Sequence, residues 1–318
     1  MINRIVEFVH ENKLRVDSVK ITIDGASHFH DFSVPVRRNI RSISKVVSCL
    51  GVYKAIEEGF FEPESPVMPF FRNVEINNKE NLDYLSRLKI RHLLTLSIGH
   101  ERGLMLRKDY RSLPVDTDYI GYILNSPIKH EPGTFFVYNN AATYLLSAII
   151  QRLSGTCLDD WVYEAVLRHL GIEKPQWEKT SQGICLGATG LHFNNEEVHR
   201  IGLLLLNRGQ YGGCQIIDGS WVDAMHQANI LNPGHEKFNS PGNRCLKKVA
   251  YGYHIWVCGD GSNEHPATHY FCDGAEGQFL IVAPEQRMVL TMLSRERNTD
   301  MLYGIICDCL TSGIRRDV

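Results

Sequence analysis

Two stretches of the chain alternate apolar and polar residues with the period of a β-strand, and they lie at its opposite ends. Near the N-terminus Val19, Ile21 and Ile23 alternate, and Asp24-Gly25 supplies the turn that follows. Past residue 250 the period of two returns in Tyr251-Gly-Tyr-His-Ile-Trp-Val257, from His269 to Val282, and from Met288 to Leu293 after a Pro284-Glu285 turn, the pattern of an antiparallel meander. Between these stretches the spacing is helical, and helices are predicted over 80–96, 116–125, 140–154, 158–169, 195–208 and 219–227. Ile2, Ile5, Val6 and Val9 predict an opening helix. Leu302, Ile305, Ile306 and Leu310 predict a closing one over 298–312 that packs back on the sheet. The expectation is an α/β (α+β) fold, an antiparallel sheet flanked by helices and built from both termini. One lobe takes 1–60 plus 245–318, and an inserted, mainly helical lobe takes 61–244. At 318 residues, against roughly 150 per domain, the chain can bury a sizeable core in one large domain or two lobes.

Charge narrows the partners. Lys+Arg 34 against Asp+Glu 36 leaves −2, without the electrostatic footprint of a nucleic-acid or anionic-membrane binder, so the expected partner is a small molecule. The nine cysteines are odd in number and scattered, with no C-x-x-C pair, which reads as free thiols in a reducing compartment and predicts a cytoplasmic protein. Glu7 and His10 fall where a signal peptide needs an unbroken apolar stretch. No window approaches the ~20 apolar residues of a spanning helix, and no internal repeat is visible.

Ser42-Ile43-Ser44-Lys45 opens a helix predicted over 45–58, with Val46, Cys49, Leu50, Tyr53 and Ile56 on one face and Gly59 at its C-terminal stop. Two other serines precede a lysine by three, Ser86 with Lys89 and Ser126 with Lys129. The first pair lies inside a helix and the second is followed by Pro127, so only Ser42 sits at a helix start. Residues i and i+3 are neighbours on a helix, and the positive end of the helix dipole disfavours an ammonium there. Lys45 is thus a candidate base for the Ser42 hydroxyl, and burial lowers a lysine's pKa further. The plain alternative is that Ser42 caps the helix and Lys45 is a solvated first-turn residue. Ser44 is next to Lys45 and does not share its face, so it is expected to hydrogen-bond locally or cap.

A second segment, Glu131 through Val137 and then Tyr138-Asn139-Asn140, leads into an apolar helix ending at Gly155. Of the thirteen tyrosines, Tyr138 alone has Asn two positions later. On a loop before a helix, Tyr138 is a candidate proton relay and the Asn140 amide a candidate holder of Lys45 or of a substrate carbonyl. The alternative is that Asn140 is a helix cap and Tyr138 a packing residue.

Together the two segments resemble the serine β-lactamase and penicillin-binding-protein superfamily on its class C side. That side also includes D-alanyl-D-alanine peptidases, carboxylesterases and 6-aminohexanoate-dimer amide hydrolases. Ser42-Ile43-Ser44-Lys45 matches its Ser-x-x-Lys element, and Tyr138-Asn139-Asn140 is similar to the Tyr-x-Asn of class C and the esterases rather than the Ser-Asp-Asn of class A. The likeness extends over Lys89–His100, similar to an R-H-L-L-T-x-x-x-G segment, over Gly187-Ala188-Thr189-Gly190-Leu191, and over Tyr251-Gly-Tyr…Trp256. It implies a β-lactamase/transpeptidase-like fold and covers most of the chain.

The third element departs from the family. Where members usually carry Lys-Thr-Gly or His-x-Gly, the local matches are His269-Tyr270-Phe271 and Gly274-Ala275-Glu276-Gly277-Gln278, the latter resembling a G-x-x-G-Q strand of the esterase and amide-hydrolase branches. Without Lys-Thr-Gly, a dedicated β-lactamase is not the first expectation. An oxyanion hole needs only two backbone N–H groups, each contributing ~3 kcal/mol. Ser42 supplies one. Ala275 is expected to supply the other, with Cys272 the alternative if His269 starts the motif, and the small residues at 274, 275 and 277 let a substrate approach the backbone. Those glycines also suit a bulge or bend in an edge strand.

The resemblance implies a serine hydrolase that needs no cofactor and no metal. It would act on a small ester, amide or lactam through an acyl-enzyme on Ser42, with Lys45, Tyr138 and Asn140 in support. The alternatives are a β-lactamase or D-alanyl-D-alanine peptidase-like activity, or a non-catalytic binding module on the same scaffold. His28-x-His30 is expected in the turn between two early strands with no third metal ligand, and Cys307-x-Cys309 as packing on the last helix.

Overall fold

The computed structural model describes residues 1–234, 242, 245–259, 262 and 268–313. In chain order the elements begin with α1 (Ile2–Glu11), β1 (Val16–Ile23), β2 (Ala26–Asp31), β3 (Arg38–Asn39), a 3₁₀ turn (Arg41–Ile43) and α2 (Ser44–Glu57). A helical run follows: α3 (Leu82–Arg87), α4 (Ile90–Leu94), α5 (Arg107–Ser112), α6 (Tyr119–Asn125), α7 (Ala141–Ser154) and α8 (Leu158–Ala165). Then come β4 (His192–Phe193), α9 (Asn195–Leu206), β5 (Gln210–Tyr211), β6 (Cys214–Gln215), α10 (Gly219–Met225), β7 (Ile230–Leu231), β8 (Ala250–Tyr251) and β9 (Trp256–Val257). The chain closes with β10 (Tyr270–Gly274), β11 (Gln278–Ala283), β12 (Met288–Ser294) and α11 (Thr299–Gly313).

Two compact units result, Met1–Ile43 with His192–Val318, and Ser44–Leu191. The sheet from both termini with a helical insertion is the expected architecture, but the units divide at Ile43 and Leu191 rather than near 60 and 245. Residue 244 itself lies outside the described residues. The reason is packing. α2 lies against α8, where the missing Cβ of Gly51 admits Val162, Leu158 and Trp161, and Trp161 Nε1 donates to the Gly51 carbonyl at 2.9 Å. α9 belongs with the sheet: a Cβ on Gly202 would fall 2.5 Å from Val289 and 2.8 Å from Leu280.

The sheet unit holds one eight-stranded sheet in the order β2-β1-β12-β11-β10-β9-β8-β7, every neighbouring pair antiparallel. Register puts Leu280 opposite Thr291 and Thr291 opposite Lys20, so these share a face. That face is covered by α9, whose buried His199 bonds Thr22 at 2.7 Å and Thr291 at 3.0 Å. The other face meets α11, where Phe279 and Tyr303 pack edge to face at 4.9 Å.

Several elements differ from expectation. The helix predicted over 80–96 is broken at Leu88-Lys89, because residues 65–67 pair with it: Val67 N–H donates to the Leu88 carbonyl at 2.9 Å and Ile90 N–H to the Ser65 carbonyl at 3.0 Å. The strand predicted from His269 to Val282 is a hairpin, β10 and β11 joined by Ala275-Glu276-Gly277, with Glu276 at φ 69° and Gly277 at φ 81°. The strand predicted over 251–257 also folds back, at Gly252, where a Cβ would sit 1.9 Å from the Met225 carbonyl oxygen. His28 and His30 lie in β2 itself rather than in a turn. Among the described residues no group of three or more His, Cys, Asp or Glu is placed to hold a metal, and no helix is long and apolar enough to cross a membrane.

Candidate active site

In the helical unit the first turn of α2 brings Lys45 inside, where 1% of it remains exposed. α2 was expected to bury one stripe; instead every residue from Ser44 to Val52 is buried, so a charged side chain on any face of these turns needs partners. Lys45 Nζ donates to Asn140 Oδ1 at 2.7 Å and more weakly to the Ala188 carbonyl at 3.4 Å, and it lies 4.7 Å from the centroid of the Tyr138 ring. Three residues singled out by sequence are thus together.

Asn140 is fixed at both ends. Its Nδ2 donates to the Met105 carbonyl at 2.8 Å, so Oδ1 faces the lysine. It occupies the N-cap position of α7 without making the side-chain cap bond; Asn139 does that, with Oδ1 accepting from Ala142 N–H at 2.9 Å. The capping alternative for Asn140 therefore falls to its neighbour, and the amide is left for Lys45. The loop behind is pressed close: Asn140 N–H donates to the Leu104 carbonyl at 3.0 Å, and a Cβ on Gly103 would meet the Tyr138 carbonyl at 2.4 Å. Gly187 (φ 68°) carries the chain into Ala188, and Ser48 Oγ donates to the Gly187 carbonyl at 2.8 Å, tying the lysine's second acceptor to α2. Tyr110 also packs beside Asn140, and burial pushes its hydroxyl pKa up.

In the sheet unit Ser42 is half-buried on the 3₁₀ turn that runs directly into α2. The residue before it, Arg41, has φ 55°, a left-handed backbone that costs a non-glycine residue about 1 kcal/mol or more. Arg41 N–H donates to Asn39 Oδ1 at 2.9 Å, and its guanidinium donates to Glu276 Oε2 at 2.8 Å. Gly274 rests on the same turn: a Cβ there would lie 2.8 Å from Arg41 Cβ and 2.9 Å from the Ile40 carbonyl oxygen.

The hairpin of the third element is pinned from behind. Ser294 Oγ donates to the Glu276 carbonyl at 2.9 Å, and Gln278, 1% exposed, donates to the Ser294 carbonyl at 2.5 Å. Gly277 and Gln278 thus shape the turn, and Gly274 permits close approach to residues 40–41. The two-residue pleat puts Cys272 and Gly274 on one face and Asp273 on the other. Asp273 accepts from Lys248 Nζ at 2.8 Å, Trp256 Nε1 at 3.0 Å and Tyr303 Oη at 2.7 Å. Burial pushes its carboxyl pKa up, but Lys248 and the other donors outweigh that and hold it below the ordinary range. His269 precedes β10 and is five residues from Gly274, roughly 16 Å along a strand. It is buried, which lowers its pKa, and its Nδ1 is 2.7 Å from Thr268 Oγ1.

Sequence reasoning missed the Ala188 and Met105 carbonyls, the Asn139 cap and the Arg41–Glu276 pair. Asn139 alone had a signal, an Asn just before an apolar helical run.

A large antiparallel sheet with an inserted helical unit and Ser-x-x-Lys at the opening of its first helix defines the β-lactamase/transpeptidase type of fold, whose proteins are typically serine hydrolases. The chain belongs to the Beta-lactamase family, whose model matches residues 3–213. Among solved structures it is similar to a Bacillus anthracis protein provisionally described as a 6-aminohexanoate-dimer hydrolase, at TM-score 0.76 and 19% identity, covering 96% of this chain and 80% of that one. It is also similar to an octameric penicillin-binding protein homologue of Pyrococcus abyssi, at TM-score 0.74 and 18% identity over 98% and 76% of the two chains. EstCE1, a hydrolase with promiscuous acyltransferase activity, matches at TM-score 0.71 and 15% identity over 95% and 96%. Identities this low carry the fold alone.

Proposed function

We propose that the chain is an esterase or amidase that forms an acyl-enzyme on Ser42. Lys45, with Tyr138, takes the serine proton; Ser42 Oγ attacks an ester or amide carbonyl; Tyr138 then protonates the leaving group, and water deacylates the enzyme. Asn140 holds Lys45. Backbone N–H groups of Ser42 and Ala275 hold the oxyanion, with Cys272 the alternative second donor. Ala275 is preferred because it follows the last ladder pair of the hairpin, Gly274 with Gln278, and because the turn that carries it is ion-paired to the residue before Ser42.

The observation that carries the reading is Lys45, buried, bonded to Asn140 and lying over Tyr138, in a chain of this family. A solvated first-turn lysine would have none of these contacts. The missing Lys-Thr-Gly favours uncharged esters and amides over β-lactams or D-alanyl-D-alanine peptides, and the nine free thiols favour a cytoplasmic location.

Acylation by a fluorophosphonate tests the reading. Wild type is expected to label and Ser42→Ala not to; an unlabelled wild type, or equal label on the variant, would sink it. Hydrolysis of short-chain p-nitrophenyl esters, a chromogenic cephalosporin and D-amino-acid amides then ranks the substrate classes, with the esters expected first. Tight ligand binding without turnover, unchanged in Lys45→Ala, would instead mark a binding module.

A further inference from the structure

Cys245 lies in the segment leading to β8 and Cys307 lies on α11, 62 positions apart in sequence. Cys245 Sγ nevertheless stands 2.7 Å from Cys307 Sγ, and the Cys245 N–H donates to that same sulfur at 3.3 Å. Such a separation is inside nonbonded contact, roughly 3.5–4.0 Å even between carbon atoms, and within about 0.7 Å of the length of a covalent disulfide. Cys245 is half-buried and Cys307 is buried.

We propose that Cys245 and Cys307 are a modification site, closing a reversible disulfide that staples the segment before β8 to α11. The staple has a specific load. Lys248, three residues after Cys245, and Tyr303, one helical turn before Cys307, both donate to the Asp273 carboxylate of β10. A bond between the two sulfurs ties together the two elements that hold this strand.

The oxidant is a small disulfide such as oxidised glutathione. One protein thiolate attacks it, forming a mixed disulfide and releasing one glutathione thiolate; the second protein thiolate displaces the other glutathione. The protein loses two hydrogens and gains one S–S bond, and the oxidant is reduced to two thiols. The Cys307 sulfur, together with burial, holds the Cys245 proton on, so exchange in the folded protein is slow and is best read at alkaline pH or during refolding. A glutathione-rich cytosol keeps the pair reduced, and an oxidising compartment closes it. The proposal does not depend on the hydrolase reading.

The test refolds and equilibrates the full chain at pH 8.5 in a reduced and oxidised glutathione buffer, quenches with acid, alkylates, and maps peptides by mass. The expected product is a peptide pair joined through Cys245 and Cys307, about 2 Da lighter than the sum of its parts. It should vanish with dithiothreitol and be absent from Cys245→Ser. The cross-linked form should melt about 5 °C above the reduced form, since the ring closed is long. Alkylation of both cysteines after equilibration, a cross-link to Cys258 instead, or a cross-link with no rise in melting temperature would overturn the proposal.

Discussion

Ser42 and Lys45 are three residues apart in sequence and are held by opposite means. In the helical unit the work falls to side chains: Lys45 is buried, Asn140 is anchored by Met105 to face it, and the Tyr138 ring lies alongside. In the sheet unit it falls to the backbone: a left-handed Arg41, a Gly274 with no room for a Cβ, and a hairpin turn pinned by Ser294. Truncating a side chain should therefore disable the first, whereas the second should yield most to changes in the main chain. The largest expected effect is in the helical unit. Lys45→Met keeps the length and loses the amine, and kcat/KM should fall about 10³-fold or more. Asn140→Ala should follow the same direction at about 10²-fold, while Asn139→Ala next to it should cost ~1 kcal/mol of stability through the lost helix cap and leave kcat intact. Steady-state kinetics with thermal melts on the three variants would show whether neighbouring asparagines do separate jobs; parallel losses of activity at both would erase the distinction.

The complementary experiment touches the backbone alone. Ala275→Pro removes one N–H and adds little bulk in an exposed turn, and if that N–H faces the oxyanion, kcat should fall about 10²- to 10³-fold with KM little changed. Wild-type kinetics in this variant would pass the role to Cys272, which stands mid-strand opposite Leu280.

This division also explains what the sequence made legible. Period-two alternation near residues 19–23 and 288–293 and helical spacing through the middle gave the sheet and its insertion, because buried faces leave a periodic trace. Ser42, Lys45, Tyr138 and Asn140 were recognisable as candidates because a proton relay requires particular side chains at particular spacing. The oxyanion donor was not, since every residue but proline has an N–H. The breaks that were missed have distant causes: Leu88-Lys89 extends because residues 65–67 pair with it, and 251–257 folds back because the Met225 carbonyl lies against Gly252. Periodicity also does not say which unit owns α2; the packing of Gly51 on α8, with the Lys45–Asn140 and Ser48–Gly187 bonds, ties it to the helical unit.

Acid should test a buried titrating side chain on which the sheet unit relies, His199 of α9. Burial pushes His199 down to about 4, and it bonds Thr22 and Thr291 across two strands. From an ordinary value near 6.5, the folded state binds fewer protons than the unfolded one between about pH 6.5 and 4, so this contribution is full above that window and drains as pH falls through it. The loss for His199 should be on the order of 2 kcal/mol at pH 5 relative to pH 7. Thermal melts across that range should show a shallower fall in His199→Gln, and an unchanged slope would mean that the imidazole is not neutral in the fold.

The smallest effect is the sharpest test of the backbone account. Arg41 and Glu276 both sit at positive φ, one beside Ser42 and the other in the hairpin, and their ion pair is about 37–38% exposed, so its direct worth is roughly 0–1 kcal/mol. If the pair only decorates the surface, Arg41→Ala should change neither stability nor rate by much. If it seats the hairpin against the Ser42 turn, kcat should drop several-fold with KM unchanged, because the backbone donor moves while the binding surface does not. Glu276→Ala should do the same, and the charge swap Arg41→Glu with Glu276→Arg should recover most of the rate. A swap no better than either single variant would show that Gly274 against Ile40 seats the turn unaided, leaving the placing of the Ser42 turn wholly to the main chain.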